Sequence, residues 1–398
     1  MCFTSIWFAV ESSPFTGPVS APRESVHFFI PVNLLTVRMS YPTSSKKTRT
    51  CHNRLSALER LPTWVICVPL ALQWLWLGLR HRSLTLPSVA NPELTAGGLV
   101  GEGKMEYFRS MGPHARAMTA ATCVIRVTDM LGHEPVQKTI TCAGLFFPLI
   151  VKPDLGMCGY GVRMVRSLSD LMAYLSQFPR DEDVVLQAYL AGENEAGIFY
   201  ARTPGEACGR VIGMAYRSYP RVVGDGVHTI GALVAADPRL RRVRTASHRL
   251  RVDPLRVPAL GEVVRLATIG STRVGGLYRD GTSTITPALT AAIDAIAQDM
   301  PNFYVGRFDV RFGSLAELRA GTGFMLMEVN GAGSEAIQAW DPKYGLSAAL
   351  RIIFRKQRVV FAIGARNRTN GHRPLGIWPL IQLHRRQRDL IARYPLSE

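Results

Sequence analysis

Polar and apolar residues alternate along one stretch of this chain, and again at the end of an apolar run further on. In Val305-Gly306-Arg307-Phe308-Asp309-Val310-Arg311-Phe312, Arg307, Asp309 and Arg311 share one phase and Phe308, Val310 and Phe312 the other. Side chains at i and i+2 of a strand point the same way, so this run predicts a strand with one charged and one apolar face. Phe324-Met325-Leu326-Met327-Glu328-Val329-Asn330 predicts a second strand, in which Glu328 and Asn330 leave one face. Continuous apolar runs predict buried strands at Phe147 to Pro153, which delivers Lys152 at its end, and at Asp183 to Leu190. Ser167-Leu168-Ser169-Asp170 supplies a start signal for a helix over Leu171 to Phe178. A further helix is expected from Leu346 to Ile363, and an uncharged run extends from Leu61 to Leu79.

Pairing the two alternating strands brings Asp309, Glu328 and Asn330 together as hard oxygen donors. Such a set suits Mg²⁺, which takes few protein carboxylates and completes its shell with water and phosphate oxygens. The structural alternative is an ion pair between Arg307 and Glu328. Between the Lys152 strand and Val162-Arg163-Met164-Val165 lies Gly156-Met157-Cys158-Gly159-Tyr160-Gly161. A glycine-rich link of this kind leaves backbone N–H groups free to close over phosphate oxygens. No Gly-Lys-Ser/Thr closes it, so it is not a P-loop.

Strand, lysine, glycine loop, strand, helix, strand, acidic turn, then Arg-x-Asp and Glu-x-Asn: over about residues 100 to 365 this order resembles the ATP-grasp superfamily. The likeness is to D-alanine–D-alanine ligases and cyanophycin synthetase-like carboxylate–amine ligases. Phe147 to Pro153 is similar to the family's lysine strand, and Arg221 to Ile230 to a segment of the cyanophycin and glutathione branch. The resemblance implies an α+β, ATP-grasp fold of two α+β lobes with the nucleotide between antiparallel sheets. It implies ATP and Mg²⁺ as cofactors, a small carboxylate and an amine as substrates, and ADP release after an acyl phosphate intermediate.

Position by position, the resemblance puts Lys152 on the nucleotide phosphates, with the loop through Gly156, Gly159 and Gly161 folded over them. Lys104 is the second nucleotide lysine, with Lys138 its rival. Gln187 stands near the adenine amino group, Ala188 and Leu190 offer backbone groups to the ring, and Glu195 or Glu193 binds the ribose. Asp309, Glu328 and Asn330 hold the metal, and Arg307 steadies the transferred phosphoryl group. The chain departs from the ligases after Asn330, where Gly331 to Pro342 lacks their acceptor loop, although Glu335 could receive an amine. No alternation of strands and helices before residue 100 suggests their N-terminal substrate domain.

By this reading residues 1–55 are a disordered extension, 56–100 an apolar segment, buried or membrane-contacting, and 101–215 the first lobe. Residues 216–345 form the second lobe with the metal site, and 346–398 a basic helical segment. A net charge of +17 favours anionic partners, but no helix-turn-helix, zinc-finger or RNP pattern accompanies it, which argues against sequence-specific nucleic-acid binding. Seven dispersed cysteines without a CxxC pair suit a reducing cytosol, with membrane association through residues 61–79 the other expectation. Two rivals to the ligase remain at this level. One is an ATP-binding protein without turnover; the other is a basic module that binds membrane surfaces.

Overall fold

A computed structural model describes residues 54–128, 131–245 and 250–398. The extension expected over the first fifty or so residues therefore lies almost wholly outside the described residues. Eleven strands occur among those described: β1 (Thr122–Arg126), β2 (Leu149–Pro153), β3 (Arg163–Val165), β4 (Asp183–Ala188), β5 (Glu195–Ala201), β6 (Arg210–Ser218), β7 (Arg221–Val223), β8 (Val263–Arg265), β9 (Leu277–Asp280), β10 (Val305–Phe312) and β11 (Phe324–Asn330). They form a four-stranded sheet β1-β4-β2-β3, a five-stranded sheet β11-β10-β5-β6-β9 and a small two-stranded sheet β7-β8, all antiparallel. This is the expected α+β arrangement of two sheets.

Each sheet has a core of its own. Leu149, Val151, Val184 and Leu186 of the four-stranded sheet pack on Val136 and Ile140 of the helix His133–Cys142 and on Leu171 and Tyr174 of the helix Leu168–Leu175. The Ser167 hydroxyl starts that second helix by accepting from the Asp170 N–H. Phe308, Val310 and Phe312 of β10 enter the other core with Leu289 and Ile293 of the helix Pro287–Gln298 and Tyr107 of the helix Lys104–Ser110. Alternation along β10 thus sends its apolar phase inward and leaves Arg307, Asp309 and Arg311 for the opposite face.

The chain passes from one sheet to the other between β4 and β5, at residues 189–194, and not at the lobe boundary expected near 215. β5 and β6 pair into the sheet of β10 because Gly197 lies opposite Asp309 and Ala215 opposite Gly197. Small residues at those positions let charged neighbours share a face. The apolar run forms the helix Thr63–Arg80, which packs on the helix Leu346–Thr369; the helix Ile377–Arg393 follows. Gln73, polar within the apolar run, donates to the Phe354 carbonyl at 2.8 Å.

Candidate active site

A cleft of about 260 Å³ separates the two sheets, and residues from both line it. Lys152 leaves the end of β2, and its ammonium crosses to the other sheet. It donates to Gln187 Oε1 at 2.9 Å and to the Met327 carbonyl at 3.1 Å. The second contact depends on an irregularity in the β10–β11 ladder. Asp309 pairs with Glu328 but Val310 with Leu326, so Met327 is the extra residue of a bulge. Bulges free backbone groups and re-aim side chains beside functional sites. Burial pushes the Lys152 ammonium down to about 8, against the opposing pull of Glu328.

The same register sets Arg307 opposite Asn330 and Asp309 opposite Glu328. Asp309 is fully enclosed. It accepts from Arg307 Nε at 2.6 Å and Nη2 at 2.9 Å, from Arg217 Nη1 at 3.1 Å and from Asn330 Nδ2 at 3.3 Å. Glu328 lies 3.4 Å from Lys104 Nζ. Burial alone would raise its carboxyl, but Lys104, Lys152, Arg307 and Arg217 outweigh that and hold it down at about 2. The ion pair expected between Arg307 and Glu328 as the structural alternative is therefore replaced: Arg307 pairs with Asp309, and Glu328 with Lys104.

Lys104, not Lys138, is the second lysine of the cleft. Its N–H is tied to the Asp154 carbonyl and its ammonium reaches that oxygen at 3.4 Å, whereas Lys138 is exposed on the helix His133–Cys142. Gly156 and Gly159 line the cleft, whereas Gly161 does not; Gly159 and Gly161 adopt positive φ. The loop is pinned from the other lobe by Arg273, which donates to the carbonyls of Cys158 at 3.1 Å and Gly159 at 3.2 Å.

The positions that the resemblance assigns to base and ribose are also present, with engagements of their own. Gln187 holds Lys152. The Ala188 N–H donates to the Ala121 carbonyl, and the Leu190 carbonyl accepts from Arg311. Glu195 is the first residue of β5 and not part of the turn. It is buried, 2.9 Å from Arg217 and 3.3 Å from Arg311, and accepts from the Tyr219 hydroxyl. Glu193 is exposed and pairs with Arg221 at 3.1 Å.

Arg217, Tyr219 and Glu102 also line the cleft, and motif reading passes over all three. Arg217 carries a faint signal: with Ala215 and Tyr219 it keeps the period-2 phase that faces Glu195 across β5–β6. Glu102 has none, since a lone glutamate between glycines reads as a turn. Burial pushes its carboxyl up to about 7, and its Oε2 is buried without a hydrogen-bond partner among the described residues.

Asp309, Glu328 and Asn330 fit a hard divalent cation by donor type, two carboxylates and an amide on adjacent strands facing one cleft. Among the described residues no group of three His, Cys, Asp or Glu side chains is placed for a metal. Arg217 Nε and Arg311 Nε are buried without acceptors among the described residues, as donors awaiting an anionic ligand would be.

No family model matches the chain. Over 123 residues, 30% of its length, it is 31% identical to the glutathione biosynthesis bifunctional protein GshAB of Streptococcus agalactiae, of which that match spans 15%. It is similar in structure to D-alanine–D-alanine ligase from Bacillus anthracis (15% identity, 70% of this chain and 72% of that one, TM-score 0.40). It is also similar to a bifunctional glutathione synthetase from Pasteurella multocida (17% identity, 64% and 36%, TM-score 0.32) and to D-cycloserine synthetase DcsG (12% identity, 65% and 70%, TM-score 0.35). All three are ATP-grasp enzymes. These overlaps are partial, and the chain spans only a small part of the length of the curated relative it matches.

Proposed function

We propose that the cleft binds ATP with Mg²⁺ and joins a carboxylate to an amine, releasing ADP. One observation carries this reading: Lys152, from the four-stranded sheet, meets the Met327–Glu328 backbone of the five-stranded sheet across a nucleotide-sized cavity. A carboxylate is a poor acyl donor because oxide would have to leave. Transfer of the γ-phosphoryl group makes an acyl phosphate; the neutral amine then attacks the carbonyl carbon, the C–O bond breaks with its electron pair leaving on phosphate, and the amine's proton passes to that phosphate or to solvent. Such chemistry needs positioning and charge neutralisation more than an acid–base residue. Lys152 and Lys104 would hold phosphate oxygens, and the loop from Gly156 to Gly161 would exclude water. Arg307 would face the transferred group. Asp309, Glu328 and Asn330 would hold Mg²⁺, which when bound neutralises phosphate charge. Consumption of ATP fits a cytosolic location for this part of the chain.

A nucleotide-binding protein without turnover is the second reading, favoured by the engagement of both Asp309 oxygens with arginines. The experiment is a screen for ADP release from purified protein with Mg²⁺ and ATP, over pooled amino acids and small carboxylates. Release that needs both a carboxylate and an amine supports the ligase. ATP binding without release under every pool supports the second reading.

A further inference from the structure

The helix Thr63–Arg80 is apolar on both sides but buried on only one. Ile66, Leu70 and Leu77 pack inward, whereas Trp64, Val68, Leu72, Leu75, Trp76 and Leu79 are between 49% and 78% exposed. Their spacing follows the helical period, so they form one continuous outward stripe along the helix. Isolated exposed apolar residues are ordinary on soluble proteins; a six-residue stripe holding two tryptophans marks a contact surface.

The charge around the stripe narrows the occupant. The helix Leu346–Thr369 runs beside it, joined through the Gln73–Phe354 hydrogen bond and the edge-on contact of Trp74 with Phe361 at 4.8 Å. That neighbour exposes Arg351, Arg355 and Arg358 at helical spacing, and Arg80 and Arg82 follow the stripe, Arg80 lying 5.5 Å from the Trp76 ring. Neither helix contains Asp or Glu. A second copy docked on this face would set arginine against arginine with no acid on either helix to relieve them. An anionic lipid surface is complementary in both respects, apolar beneath and negative at the headgroups.

We infer that this face seats the protein on anionic lipid headgroups, with the Thr63–Arg80 helix lying in the interface. It does not cross the bilayer, because its inner side is committed to the protein through Gln73 and the Leu70 and Leu77 contacts. The stripe shares no residue with those lining the nucleotide cleft, so this inference stands apart from the ligase reading.

The test is cosedimentation of the full chain with phosphatidylcholine vesicles, with and without phosphatidylserine, at low and high salt. The expected result is binding to the anionic vesicles, with a blue shift of tryptophan fluorescence. Binding should weaken on the order of tenfold on neutral vesicles, at high salt, or in an Arg351→Gln/Arg355→Gln/Arg358→Gln variant. A Leu72→Ser/Leu79→Ser variant should lose binding to a similar degree while keeping the parent's melting temperature and nucleotide affinity. Equal binding by parent and Leu72→Ser/Leu79→Ser variant, or no binding to either vesicle, overturns the inference. So does a concentration-dependent dimer that this variant dissolves, which would assign the face to a second copy.

Discussion

Glu328 and Lys152 state the physics of the cleft at the scale of single residues. Lys152 is buried and Glu328 half-buried, each has a displaced proton affinity, and each is made tolerable by opposite charge, Glu328 for Lys152 and the two lysines for Glu328. Glu328→Ala removes the acidic partner that draws both lysines. ADP release by this variant should fall on the order of 100-fold, with an unchanged circular dichroism spectrum. Lys152→Ala removes a charged donor instead, and nucleotide affinity by calorimetry should weaken ~10- to 100-fold. Glu102 gives a pH signature. Its carboxyl is protonated in the fold up to about 7, whereas an unfolded carboxyl ionises near its ordinary value. Between those values the native state holds the extra proton, so this group's contribution to stability falls as pH rises. Glu102→Gln stays neutral and should escape that fall. Its urea midpoint should match the parent's at pH near 4 and exceed it, by roughly 3 kcal/mol of stability, at pH near 8.

Among the elements, the glycine loop and the bulged strand pair do most to position the site. Gly159 has φ +75°, and a Cβ there would meet Ile269 at 2.9 Å. Gly159→Ala therefore strains a backbone conformation that costs an L-residue about 1–2 kcal/mol. The Michaelis constant for ATP should rise about tenfold while the rest of the fold keeps its melting temperature. The elements themselves were largely legible: alternation located β10, an apolar run ending in Glu-Val-Asn located β11, apolar runs located β2 and β4, and capping chemistry located the helix after Ser167. The bulge at Met327 was not, because Phe324 to Met327 are all apolar and carry no period-2 phase in which an extra residue would show. Nor was the hand-over between sheets at 189–194, since antiparallel partners are chosen by packing across the sheet and not by chain order. The polar cluster of Arg217, Tyr219 and Glu195 stayed hidden for the same reason: two of its members lie on β6 and just beyond it, where nothing in the local pattern points at β5.

At the scale of the whole molecule, the segment before the first sheet is anchored across to the second lobe. Glu59, wholly enclosed, receives two bonds from Arg239, at 2.8 and 2.6 Å, and a third from Arg242 at 2.8 Å. Glu59→Ala would leave the buried Arg239 guanidinium without its carboxylate. Such losses cost about 3–5 kcal/mol, and thermal unfolding should fall accordingly. The apolar run before residue 80 announced a helix but not its two-sidedness, which depends on Leu346–Thr369 covering one flank only. In the proposed function, two distant strands and a lysine make one Mg²⁺-dependent nucleotide site. Calorimetric titration of a non-hydrolysable ATP analogue, with and without Mg²⁺, on the parent and on Glu328→Gln tests it most directly. Mg²⁺ should strengthen binding in the parent and leave it nearly unchanged in the variant. No binding by the parent, or the same Mg²⁺ response in both proteins, would contradict it.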